Sequence, residues 1–94
     1  MTVPANKIAT GRVTLTGSAQ QLVASAFPYQ IKSVRITNIG ATNEAYYGVS
    51  GVTETTGDTI EPGQSVTFEC TDARSIYVDG TASDVLTYTL VYNG

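Results

Sequence analysis

The stretch TTGDTIEPGQSVTFE, from Thr55 to Glu69, decides how the chain folds. It carries two turn signals, Gly57-Asp58 and Pro62-Gly63, ahead of a strand-like run from Ser65 to Glu69. Pro62 presets φ for the second position of a β-turn, and Gly63 can take the positive φ that a type II turn needs at its third. Past the corner, Val66, Phe68 and Cys70 alternate with Thr67 and Glu69. That period of two gives a strand with one face in and one face out. A sheet corner accounts for every residue of the stretch, and turn chemistry alone explains its polar ones.

Working outward, the same alternation recurs. Val13 and Leu15 alternate with threonines, Val34 and Ile36 with Arg35 and Thr37, and Leu86, Tyr88, Leu90 and Tyr92 with Thr87, Thr89 and Val91. Ile76 and Val78 flank Tyr77, and shorter strands are read at Gln21–Ala24 and Ala45–Ser50. Turn signals separate them at Gly17-Ser18, Phe27-Pro28, Asn38 to Gly40, Gly48 to Gly51 and Asp79-Gly80. No segment holds the i, i+3, i+4, i+7 apolar spacing of a helix. Seven or eight short strands point to one all-β domain, a β-sandwich or small barrel, and we read it as an antiparallel β-sandwich of jelly-roll-like kind. Residues 1–11 lack alternation and contain Pro4, so they read as an extended N-terminal arm ahead of a sandwich spanning residues 12–94.

Ninety-four residues support one modest core and leave little room for a deep cleft. Charged residues are only 14% of the chain, against a usual value of about 25%. The polar surface therefore falls to Thr, Ser, Asn and Gln, which suits a pleated exterior. No apolar run approaches the ~20 residues that span a bilayer, which predicts no membrane partner. The N-terminus has neither the apolar run nor the cleavage site of a secretory signal. The net charge of −3 divides unevenly: Met1 to Arg35 carries four cations and no acid, whereas Ile36 to Gly94 carries eight acids and only Arg74. Four scattered cations do not make the dense basic stripe of a nucleic-acid binder. The division suits a protein whose early segments meet an acidic protein surface.

The chain has no histidine, which removes Ser-His-Asp and Cys-His catalysis and the usual zinc sets. No motif sets a serine beside Lys7 or Lys32. Cys70 shares a strand face with Val66 and Phe68 and reads as an inert core thiol. The carboxylate pairs Asp58/Glu61 and Asp79/Asp84 sit in turns or at strand ends, and no tryptophan platform accompanies them. Asp79 to Asp84 lacks the spacing of a calcium loop, and the glycines form no phosphate-binding fingerprint. The expectation is a non-enzyme without metal or cofactor.

Contact residues are drawn from charge and position. Val3, Pro4 and Ile8 are candidates to dock in a partner groove, with Lys7 and Arg12 pairing with acids there. Tyr29 is read as outward-facing. Tyr46 and Tyr47 are adjacent, so one faces the core and the other solvent, where tyrosine is a common anchor. Few charges and spare tyrosines point to a closed homotrimer.

The segments VRITNIG (34–40), YYGVSG (46–51), TTGDTIEPGQSVTFE and IYVDGTASDVLTYTLVY (76–92) together resemble small β-sandwich virion proteins of tailed bacteriophages, above all capsid decoration or cement proteins. The likeness spans Val13 to Tyr92. It implies a compact, often trimeric protein that binds the major capsid protein on the outer surface of the virion and reinforces the shell, frequently through an N-terminal arm. It brings no catalytic motif. The rival expectation is a carbohydrate-binding module of a phage head or tail fibre, which an exposed aromatic strip beside acidic loops would favour.

Overall fold

The computed structural model describes residues 6–23 and 29–93. Eight strands follow in order: β1 (Asn6–Thr14), β2 (Gln20–Gln21), β3 (Ile31–Asn38), β4 (Ala45–Gly48), β5 (Asp58–Ile60), β6 (Ser65–Glu69), β7 (Tyr77–Gly80) and β8 (Val85–Asn93). They make two four-stranded antiparallel sheets, ordered β1-β8-β3-β6 and β2-β7-β4-β5. The pairs β1·β8, β2·β7, β3·β6 and β4·β5 are the rungs of one long folded hairpin. Rolling that hairpin up adds the contacts β3·β8 and β4·β7, which complete the two sheets.

Alternation along the strands builds the layer between the sheets. In β3, Val34, Ile36 and Asn38 point in while Arg35 stays exposed. Their partners across the ladder are Phe68 and Val66 on β6 and Leu90, Tyr88 and Leu86 on β8. A bulge between Ile31 and Ser33 shifts the register so that Ile31 also reaches the interior. The second sheet contributes Ala45, Ile60 and Val78, and Leu15, Leu22 and Ile76 close the layer from the flanking segments. Tyr47 on β4 stacks on Phe68 of β6, ring centroids 5.1 Å apart, and so ties one sheet to the other.

The boundary drawn at residue 11 does not match the sheet. Asn6 to Gly11, expected in an arm, forms the first part of β1 and is paired residue for residue with β8, from Asn6↔Asn93 to Gly11↔Tyr88. The reason is the size of the inward side chains. The positions that face the core here are Ala9 and Gly11, while Ile8 stands outward. Gly11 is small because Tyr88 lies over it: a Cβ at Gly11 would fall 2.4 Å from the Tyr88 hydroxyl. An aromatic ring covering a strand glycine is a recognised sheet device. It leaves no large residue to mark the period in the sequence.

The Pro62-Gly63 corner closes as its residues dictate. Gln64 N–H donates to the Glu61 carbonyl at 2.9 Å, and Gly63 has φ +79°, the type II pattern. Gly63 N–H then donates to the Asn38 carbonyl at 2.7 Å. Asn38, 1% exposed, is the buried polar side chain of the core. Its Nδ2 donates to the carbonyls of Asn43 (2.9 Å) and Ile60 (3.0 Å), and its Oδ1 accepts from Gly40 N–H (2.9 Å). One amide thus fastens the end of β3 to β5 of the other sheet and to the loop between β3 and β4. Asp58 to Ile60, of which the sequence reading placed only Asp58 in a turn and none in a strand, form the short strand β5.

Candidate functional site

The described residues offer three surfaces: two outer sheet faces and one end of the sandwich. The outer face of the β1-β8-β3-β6 sheet carries rows of small hydroxyls, bordered toward the start of β1 by the row Ile8, Val91, Ser33, Glu69. One row runs Thr10, Thr89, Arg35, Thr67, and the next runs Arg12, Thr87, Thr37, Ser65. Arg12 and Arg35 face out because Val13, Val34 and Ile36 on either side of them face in. Arg35 donates to the Ser65 hydroxyl at 3.4 Å, and neither arginine meets a carboxylate among the described residues.

The outer face of the other sheet is acidic. Ala45 and Tyr47 point inward, so Tyr46 between them points out, paired with Thr59 and Asp79 across the ladder. Tyr46 stands in an open groove of about 530 Å³ with Glu44, Glu54, Asp79, Thr53 and Thr81 on its walls. Partial desolvation, together with the charges of Glu44, Glu54, Asp79 and Glu61, pushes the Tyr46 phenol above its ordinary pKa of 10.0. Glu44 is raised above the usual carboxylate range, first by a hydrogen bond shared with Glu61 and then by that neighbour's charge. Arg74, the one cation after Ile36, is held elsewhere, in an ion pair with Asp72 at 3.1 Å. The uneven charge of the sequence therefore becomes a two-sided molecule.

The third surface is the end where β1 begins. Ile8 is 65% exposed and Tyr29 48% exposed. Tyr29 stacks on Tyr92 at 5.1 Å, and Tyr92 is the ladder partner of Lys7. This end collects Lys7, Ile8 and Tyr29 from the residues singled out in the sequence. Arg12 lies further along β1, on the hydroxyl face. Val3 and Pro4 lie outside the described residues. Tyr46 belongs to the acidic face. Tyr47 is the inward member of its pair, its ring against Phe68 and its hydroxyl donating to Asp58 at 3.2 Å. Burial, then the Asp58 charge and that hydrogen bond, raise its pKa.

Cys70 does share the inner face with Phe68, but it is half-buried, its thiol 3.3 Å from the Asp72 carbonyl. No cluster of three or more metal-ligating side chains occurs among the described residues. Among them, too, no helix is long and apolar enough to cross a membrane. Sequence reasoning missed Asn38 and the groove around Tyr46. The signal for the groove was present in part: four acids flank the strands that form it, but their meeting depends on loop positions.

No protein-family model matches the chain, and no curated protein matches it. Solved structures do share its fold. A chain from Bacillus endospore appendages, a family of disulfide-linked pili, superposes with a TM-score of 0.55 at 18% identity, covering 95% of this chain and 87% of its own. A chain from the acidic stable capsid structure of Helicobacter pylori bacteriophage KHP30 superposes with a TM-score of 0.57 at 15% identity, over the same shares of the two chains. The chain is therefore a β-sandwich of a fold found in both a phage capsid and a bacterial pilus.

Proposed function

We propose that the protein is a non-enzymatic structural virion protein that attaches to the outer surface of an assembled phage capsid and reinforces it. The observation that supports this most is the shared fold with a chain of a phage capsid structure over nearly the whole length. In this reading the rolled hairpin is a jelly roll used as a rigid block. The end bearing Ile8, Tyr29 and Lys7 meets the major capsid protein, since exposed large apolar side chains beside a cation suit an interface. Bound protein stabilises the assembled shell by mass action, because it binds the assembled state and not its separated parts.

The test is cosedimentation of the purified protein with phage heads that lack it, followed by thermal rupture of the heads. Bound protein and a higher rupture temperature are expected. Substituting Ile8→Asp and Tyr29→Ser together should abolish binding while the folding transition persists. Heads that pellet without the protein would reject the reading. A second reading, carbohydrate binding, rests on Tyr46 standing among carboxylates in an open groove. It would be favoured by glycan-array binding that Tyr46→Ala removes.

A further inference from the structure

The two outer faces of the sandwich are opposite in charge, and among the described residues no ion pair neutralises either. On one, Arg12 and Arg35 rise from rows of threonine and serine, with Ile8, Val91 and Glu69 in the neighbouring row. Two strand spacings, across β8, and one step between rows separate them, about 12 Å by sheet spacing. Glu69 shares this face and is diagonal to Arg35, but no ion pair joins them. On the other, Glu44, Glu54, Asp79 and Glu61 surround Tyr46 with no cation among the described residues that pairs with them. Like charges left crowded at a surface cost free energy, and an opposite charge brought within a Debye length of ~10 Å relieves it. Short hydroxyl side chains also let a partner approach the two guanidiniums closely.

We propose that the arginine-bearing outer face of β1-β8-β3-β6 docks on the acidic groove around Tyr46 of a second copy of this chain. The contact is heterologous, since each copy offers a different face. The two faces lie back to back across the sandwich. A closed trimer needs contact faces turned by about 120° about one axis, whereas opposite faces repeat by translation and give an open row. Such a stack is the alternative to the homotrimer expected from composition. Ile8 stands on this same outer face, one row beyond Thr10, so a partner seated there also meets it. Nothing in this contact depends on the capsid reading, because the partner is the protein itself.

Sedimentation velocity of the purified protein alone tests it, in about 0.02 M and about 0.5 M salt, where screening lengths lie on either side of the ~10 Å at 0.1 M. The mean mass should climb with concentration beyond dimer in low salt and fall to the monomer in high salt. Two charge-reversed variants are then compared, Arg12→Glu with Arg35→Glu, and Glu44→Lys with Glu54→Lys. All four positions are exposed, so thermal unfolding should report a folded domain in both variants. Each variant alone should associate at least about tenfold more weakly than the wild type. Mixed in equal amounts, they should associate again, because the reversed faces attract. A wild-type monomer in low salt would overturn the proposal, as would a trimer that survives both reversals or a mixture that stays monomeric. Heads that capture the protein through the arginine face, while the protein alone stays monomeric, would assign that face to the capsid and overturn it as well.

Discussion

Replacing Asn38 with alanine should cost more stability than any other polar substitution in this domain. The side chain is 1% exposed and makes three hydrogen bonds, to the Asn43 and Ile60 carbonyls and from Gly40 N–H. Alanine deletes all three and leaves the partners in place. A buried group that loses its partner costs about 1–3 kcal/mol. The Ile60 carbonyl bears that in full, since Ile60 is 0% exposed. The Asn43 and Gly40 groups are nearer solvent and lose about half as much each. The sum is roughly 2–6 kcal/mol, against a total of about 5–14 kcal/mol for a domain of this length. At about 4–8 °C per kcal/mol, the melting temperature should fall by roughly 10–45 °C.

Asn38→Asp sharpens the test. The carboxyl keeps the shape and the acceptor for Gly40 but aims oxygen at two carbonyls. Its folded pKa must then lie above the unfolded value, so its protonated form is favoured in the folded state. Stability of the aspartate variant should be greatest in acid and decline as pH rises through that raised pKa. Urea unfolding followed by circular dichroism, at several pH values, reads both effects. A melting temperature for Asn38→Ala within about 3 °C of wild type would refute the account, given the expected slope. So would an Asn38→Asp protein whose stability ignores pH.

Deleting residues 1–9 should destabilise the fold rather than merely trim an arm, because it removes the pairs from Asn6↔Asn93 to Ala9↔Leu90. A loss of roughly 2–4 kcal/mol is expected from uncovering Leu90 and its neighbours, readable as a lower urea midpoint. Gly11→Val should cost about 1–3 kcal/mol by driving the Tyr88 ring outward, and adding Tyr88→Leu should recover part of that loss in a double-mutant cycle. The phenols of Tyr46 and Tyr47 both ionise above 10.0 in the folded protein, Tyr47 chiefly through burial. Their contribution is complete below the unfolded pKa near 10 and is lost as pH rises through the folded values, so stability should decline in alkali. Tyr47→Phe should flatten that decline, which ultraviolet absorbance titration beside unfolding curves will show.

The sequence by itself determined that the chain is a sandwich and where its corners fall. Val34 and Ile36, Val66 and Phe68, and Leu86 and Leu90 announce their strands because alternation is a local property, set by the pleat of two neighbouring residues. Pro62 and Gly63 announce their turn because φ is fixed or freed by the residue itself. Tertiary structure alone decided the rest. The first half of β1 was hidden because its inward residues, Ala9 and Gly11, are too small to mark a period, Gly11 because Tyr88 lies over it across the ladder. Asp58 to Ile60 became a strand because β4 was there to pair with it, although three residues cannot display a period. Asn38 read as a turn residue, and only the meeting of β3 with Ile60 made it the hinge-pin of both sheets. The charge imbalance was legible as a count along the chain. Its division into a basic face and an acidic groove was not, since it depends on which strands the rolled hairpin sets side by side.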